Sequence, residues 1–213
     1  MTPLLLGHRG ARASRQIPEN TLASFELCLR HGCDGFEFDV RPSADGQAVI
    51  CHDATVGGME IANTVSKTLP LPTLEDVLRQ FAHRAFLDIE LKVAGLEPQT
   101  LAELSKHPPQ KGHVVSSFLP EVLTAIHNLG PAIPLGILCE TQDQLRGWRE
   151  MPAEWVIPQF ALVDRELVKL VHAAGKRIMV WTVNRAERMR EFAEWGVDAI
   201  ISDETELLIR SLR

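Results

Sequence analysis

Eight short apolar runs punctuate the chain, and most are followed by a loop and a segment with helical periodicity. The runs are PLLLG (3–7), GFEFDV (35–40), AFLDIEL (85–91), HVVSSF (113–118), IPLGILC (133–139), EWVIPQ (154–159), RIMVWTV (177–183) and DAIIS (198–202). Strands that are apolar on both faces and alternate with helices belong to a parallel sheet covered on both sides. Eight such units in 213 residues predict a (β/α)8 barrel, the TIM-barrel architecture. An open doubly wound sheet is the alternative. The chain carries neither GxGxxG after a strand nor a GxxxxGK phosphate loop, which weakens the nucleotide-binding versions of that fold.

The segments between the runs carry helix signals. NTLASFELCLRHG offers Asn20 as an N-cap and Gly32 as a stop. TLEDVLRQF places Leu74, Val77, Leu78 and Phe81 on one face. LPEVLTAIHNLG, TQDQLRGWRE, VDRELVKLVHAAG and NRAERMREFAEWG follow, and DETELLIRSL opens with Asp203 and Glu206 at capping-box spacing. No linker rich in Pro, Gly or Ser divides the chain, so one domain is expected over residues 1–213.

With 45% hydrophobic residues the chain can build a sizeable core. A formal charge of −6 argues against a broad nucleic-acid footprint, so an anionic substrate must be held by a few local cations or a metal. Cys28, Cys33, Cys51 and Cys139 form no CxxC pair and read as reduced core or near-core residues. The opening MTPLLLGHRG lacks a basic n-region and is too short to span a membrane. A cytoplasmic protein without stable membrane insertion, acting on a small molecule, is expected.

A ninth apolar run, QAVIC (47–51), follows GFEFDV with no helix between them. Asp45 and Gly46 suggest a two-residue type I′ hairpin extending strand two. In that register Asp39 faces His52 and Arg41 faces Ile50, with opposed Cβ atoms about 5 Å apart. Glu37 and Asp39 share a strand face, so Glu37, Asp39 and His52 converge. In a barrel the working face lies at the C-terminal strand ends. His8 and Arg9 follow run one, Glu90 and Lys92 end run three, Phe118 ends run four, and Trp181 lies near the end of run seven.

The mouth thus gathers three carboxylates (Glu37, Asp39, Glu90), two imidazoles (His8, His52) and two cations (Arg9, Lys92). Neighbouring carboxylates repel unless something positive lies among them. Oxygen-only ligands suit a hard divalent cation, Mg²⁺ or Ca²⁺, over Zn²⁺. Arg and Lys beside it suit a phosphate, and two imidazoles suit acid–base work. Together these describe phosphodiester cleavage. Each residue also has a plainer reading. Glu90 and Lys92 are spaced for a structural ion pair, Glu37 and Asp39 for a solvated strand face, and Phe118 and Trp181 for packing. Glu19 is a candidate to orient a mouth residue, Asp53 to support the turn, and Asp203 to cap a helix.

Seven blocks in order resemble the glycerophosphodiester phosphodiesterase family: GHRGARASRQIPENTLASFELCLRHGCDGFEFDV, DGQAVICHD, LPTLEDVL, FLDIELK, VVSSF, AAGKRIMVWTVN and WGVDAIISD, from residue 7 to residue 203. The resemblance implies a metal-dependent hydrolase on a TIM barrel. It would cleave substrates such as glycerophosphocholine or glycerophosphoethanolamine to glycerol 3-phosphate and an alcohol. It implies His8 and His52 as the acid–base pair, Glu37, Asp39 and Glu90 as metal ligands, and Arg9 and Lys92 as the residues that bind the phosphate; Trp181 and Phe118 are candidates, from their place at the mouth, for apolar walls to the glycerol or alcohol group. One stretch departs from the family pattern. After HD, residues 54–72 read ATVGGMEIANTVSKTLPLP, short and without the family's usual arginine, and are expected to help wall the pocket. A lysophospholipase D-like or cyclic-phosphate-forming enzyme is the alternative reading, and a non-catalytic phosphodiester-binding barrel a third.

Overall fold

The computed structural model describes residues 2–213. The strands are β1 (Leu4–Gly7), β2 (Gly35–Pro42), β3 (Ala48–Ile50), β4 (Thr55–Val56), β5 (Met59–Glu60), β6 (Phe86–Leu91), β7 (His113–Ser117), β8 (Leu135–Cys139), β9 (Trp155–Pro158), β10 (Arg177–Val180) and β11 (Ala199–Ser202). The helices are α1 (Leu22–His31), α2 (Leu74–Phe81), α3 (Glu97–Lys106), α4 (Pro120–Leu129), α5 (Gln142–Arg146), α6 (Arg165–Ala173), α7 (Ala186–Trp195) and α8 (Thr205–Leu212). The order β1-β11-β10-β9-β8-β7-β6-β2 closes through a β1–β2 pairing, giving a ring of eight parallel strands. This is the expected TIM barrel. β3 pairs antiparallel with β2 outside the ring.

Strand alternation sorts side chains into two cores. Leu6, Phe86, Val114, Leu138, Trp155, Ile157, Met179, Ala199 and Ile201 fill the barrel interior. The intervening residues, among them Phe36, Phe38, Leu87, Ile89 and Val156, face the helices. Phe25 of α1 stacks on Phe36 with ring centroids 4.2 Å apart, and Phe81 of α2 meets both edge-on. Two covered faces explain why β2 and β6 are buried almost throughout, including their carboxylates. At Gly35 the strands approach so closely that a Cβ would sit 1.8 Å from the Phe86 carbonyl oxygen, which leaves room only for glycine. All four cysteines are free thiols, as expected.

Four local expectations are corrected. The hairpin is not a two-residue turn. Val40 pairs with Ile50, Arg41 with Val49 and Pro42 with Ala48, one residue out of the expected register. Ser43 and Gly46 close a longer loop, with Gly46 at φ +74 and the Ser43 N–H donating to the Gln47 carbonyl. The loop tip is tied down, because Asp45 accepts from both the N–H and the hydroxyl of Ser66. Those bonds favour the longer turn over the type I′ geometry.

The N-cap of α1 is Thr21, whose hydroxyl accepts from the Ser24 N–H, and not Asn20. Asp203 does not cap α8, whose N-cap position is Glu204. Residues 54–72 do not line the mouth cavity. Val56, Met59, Ile61, Leu69 and Leu71 instead pack with Val49 and Cys51 into a small core outside the hairpin. α3 carried no marked sequence signal, beginning with Pro98 in its first turn and no side-chain cap.

Candidate active site

The interior phase of each strand continues past its end into the mouth. On β2 the inward positions are Glu37 and Asp39, and parallel register sets Asp39 beside Glu90 of β6. The three carboxylates are 5%, 1% and 7% exposed in the order Glu37, Asp39, Glu90. Each offers an oxygen, and the three oxygens lie within 4.8 Å of one another. Glu37 Oε1, Asp39 Oδ1 and Glu90 Oε1 are buried without a hydrogen-bond partner. Lys92 Nζ lies 2.6 Å from Glu90 Oε1 and 3.3 Å from Asp39 Oδ1, close enough for ion pairs but not directed as hydrogen bonds to either oxygen. Buried, converging oxygens left over in this way are a hard-cation donor set, so the residues present fit a divalent ion.

Charge crowding shows in their acidities. Burial first, then Asp39 and Glu90, pushes the Glu37 carboxyl well up. Burial and Asp39 raise Glu90 to about 7 against the pull of Lys92. Burial also opposes ionisation of Asp39, but Lys92, Arg9 and an Asn20 hydrogen bond outweigh it and hold its carboxyl low. Lys92 in turn keeps its proton beyond the usual lysine range, since Glu90 and Asp39 outweigh its burial. Deeper in the barrel, burial raises Asp88 to about 7, although it accepts a 2.6 Å bond from the Ser116 hydroxyl.

Among the described residues, Arg9 and Asn20 are the two non-glycine positions at positive φ, +51 and +56. This conformation costs L-residues about 1–2 kcal/mol each, less for Asn. It lets one loop make several site contacts. The Arg9 N–H donates to Glu37 Oε2 at 3.0 Å, its Nη1 donates to Glu19 Oε1 at 2.7 Å, and its Nε lies 3.3 Å from Asp39 Oδ2. Asn20 Nδ2 donates to the same Asp39 oxygen at 2.8 Å. The Asn20 N–H, in turn, donates to the Arg9 carbonyl. Asn20 therefore holds a site carboxylate, and Glu19 orients Arg9.

His8 follows β1, and its Nδ1 lies 2.7 Å from Asp203 Oδ1. Burial opposes ionisation of Asp203, but hydrogen bonds from His8 and Asn184 and the charge of Arg12 hold its carboxyl far below the usual range. An ionised carboxylate only accepts, so the proton sits on His8 Nδ1 and Nε2 is left toward the cavity, 3.8 Å from Glu37 Oε2. His52 lies just beyond β3, where the Arg41 Nε donates to its carbonyl and its Nδ1 meets Asp53 Oδ1 at 2.8 Å.

His8, Arg9, Glu37, His52, Glu90, Lys92, Phe118 and Trp181 line one cavity of about 300 Å³, with Leu138, Glu140 and Ile201. Asp39 lies beneath it. Every anticipated site residue is thus in or under one cavity, and His52 reaches it although Cys51, not His52, takes the place opposite Asp39. Phe118 and Trp181 meet edge-to-face at 5.6 Å, and the Trp181 indole N–H donates to the Ile157 carbonyl. Sequence reasoning missed Asp203 as the partner of His8 and Glu140 as a wall residue. For Glu140 a signal was present: it lies two residues past Leu138, on the inward phase of β8.

Fold and mouth define a (β/α)8-barrel enzyme, with its polar groups at the C-terminal strand ends. The glycerophosphoryl diester phosphodiesterase family model matches residues 8–81 and 60–207, and the chain belongs to that family. A glycerophosphodiester phosphodiesterase of Caldanaerobacter subterraneus subsp. tengcongensis is 28% identical over 100% of this chain and 99% of its own. One from Bacillus altitudinis is 28% identical over 93% of this chain and 94% of its own. Among solved structures, an Oleispira antarctica phosphodiesterase in complex with the product sn-glycerol-3-phosphate superposes with a TM-score of 0.87 at 26% identity, covering 99% of this chain and 96% of that one. No helix among the described residues is long and apolar enough to cross a membrane.

Proposed function

We propose that this enzyme is a divalent-cation-dependent hydrolase that cleaves glycerophosphodiesters, such as glycerophosphocholine and glycerophosphoethanolamine, to sn-glycerol 3-phosphate and an alcohol. One observation carries the reading: three buried carboxylate oxygens without hydrogen-bond partners converge beneath a cavity whose walls hold two cations and two imidazoles. The product bound in the Oleispira antarctica relative supports the substrate class. Glu37, Asp39 and Glu90 would hold the cation, whose chemistry there is polarisation of a phosphoryl oxygen. Arg9 and Lys92 supply positive charge where the phosphate gathers negative charge. His8, oriented through Nδ1 by Asp203, presents Nε2 as a site to take or give a proton. His52, held through Nδ1 by Asp53, presents its own Nε2 in the same way. One imidazole takes a proton from the water whose oxygen bonds to phosphorus, and the other protonates the alcohol oxygen as its bond to phosphorus breaks, leaving glycerol 3-phosphate and the free alcohol.

The test is release of glycerol 3-phosphate from a panel of glycerophosphodiesters with Mg²⁺, Ca²⁺ or chelator. Release that requires a divalent cation is expected, as is a His52→Ala variant that still binds the cation but does not turn over. Release indifferent to chelator would refute the metal role, and full activity in His52→Ala would refute the acid–base role. No release by folded protein would favour lysophospholipids, cyclic products or a silent binding barrel.

A further inference from the structure

The mouth cavity has two unlike halves. His8, Arg9, Glu37, His52, Glu90 and Lys92 form a charged half, and Phe118, Leu138, Glu140, Trp181 and Ile201 form the other. A phosphodiester centred on the charged half must lay one of its two organic groups against the second half. That half is apolar except for one carboxylate, Glu140.

Glu140 differs from the other two carboxylates lining the cavity. Glu37 and Glu90 are buried in the three-carboxylate cluster, whereas Glu140 is exposed at the rim. Among the described residues its carboxylate forms no ion pair and no hydrogen bond. Its backbone, by contrast, is anchored, because Gln144 Oε1 accepts from the N–H groups of Glu140 and Thr141 at 2.8 and 3.0 Å. Phe118 and Trp181 flank the same space, with Trp181 locked by its bond to Ile157. Aromatic faces attract cations, and Lys92 Nζ already sits 5.8 Å from the Phe118 centroid. Two fixed rings and a free carboxylate form a receptor for an organic cation.

We propose that Glu140, with Trp181 and Phe118, is a specificity-determining residue that selects substrates whose alcohol group carries an ammonium. This rests on the phosphodiesterase reading and adds to it a preference for cationic over neutral or anionic alcohol groups. A rim carboxylate is partly solvated, so its pairing is worth a few-fold in rate, and the preference should weaken with salt.

The test compares kcat/KM for glycerophosphocholine and glycerophosphoglycerol in the wild type, Glu140→Gln and Glu140→Lys. The choline-to-glycerol ratio should fall about 5-fold in Glu140→Gln and further in Glu140→Lys. A purely structural role would lower both rates together and leave the ratio unmoved. An unchanged ratio in both variants, with or without a common loss of rate, would overturn the proposal.

A measurement independent of turnover keeps the two readings apart. Choline and its uncharged tert-butyl isostere are titrated calorimetrically into the wild type and Glu140→Gln. Choline should bind the wild type several-fold more tightly than the isostere, and Glu140→Gln should erase the difference. Equal binding of the two by the wild type overturns the cation site even if the enzyme is active. No release from any substrate, with choline still preferred, refutes the phosphodiesterase reading alone.

Discussion

Metal-free protein is expected to lose stability as pH rises from about 5 to about 8. Three buried carboxyls set the sign. Glu90 moves from 4.5 to about 7, chiefly by burial and then by Asp39, and Asp88 moves from 3.8 to about 7 by burial. Glu37 moves in the same direction. Between the unfolded and folded values the native state keeps protons that the unfolded chain has released. Stability is therefore greatest below the unfolded values, falls as pH rises, and levels off once the folded groups ionise above about 7. The carboxyls held low, Asp39 and Asp203, act in the opposite sense but at acid pH, outside this window.

For Glu90 alone the rise from 4.5 to about 7 corresponds to about 3 kcal/mol. In a chain of this size that is a fall in Tm of about 6–12 °C. The assay is thermal unfolding in chelator at several pH values across the window, repeated with excess Mg²⁺ or Ca²⁺. Added cation should flatten or reverse the slope, because it binds only the ionised carboxylates. Glu90→Gln should flatten the chelator curve by removing one of the groups. A metal-free Tm that holds steady or climbs from about pH 5 to about 8 would refute the crowding argument.

Further outcomes follow from single contacts. Asp203→Asn frees His8 Nδ1 from its fixed acceptor, and kcat should fall about 100-fold with a changed pH–rate profile while cation binding is retained. A loss of cation affinity instead would show that Asp203 acts through the carboxylate cluster. Phe25→Ala removes the ring stacked on Phe36 and should cost about 3–5 kcal/mol in urea unfolding. Gly35→Ala places a methyl group 1.8 Å from the Phe86 carbonyl, so soluble, native-like protein from that variant would contradict the β2–β6 packing.

The barrel was legible because its signal is repeated and local. Each ring strand falls on a short, mainly apolar run, and each of the eight expected runs overlaps one ring strand. The convergence of Glu37, Asp39 and Glu90 was legible for the same reason: they break apolar runs at inward positions of adjacent strands. What stayed hidden depended on contacts distant in sequence. Asp203 and Glu206 have the spacing of a helix cap, but Asp203 is drawn to His8, 195 residues away. Asn20 precedes a helix as a cap would, yet it bonds Asp39 while its neighbour Thr21 does the capping. The hairpin register likewise turned on Ser66 holding Asp45 across 21 residues.

One geometric rule connects the legible and the hidden parts of the mouth. Lys92, Phe118, Glu140 and Trp181 each stand two residues beyond an inward barrel residue, namely Glu90, Ser116, Leu138 and Met179. The strand period carries all four into one cavity although they come from four strands. Their backbones are fixed by the ring, so the side chains of Phe118, Glu140 and Trp181 can differ without disturbing it. The buried carboxylates below are held by the charges of Arg9 and Lys92 and by a hydrogen bond from Asn20, and removing either cation leaves a buried charge uncompensated. On the proposed reading, chemistry is committed in the barrel and choice of substrate is left to the rim, so the Glu140 carboxylate, unpaired among the described residues, carries information about the substrate and not about the fold.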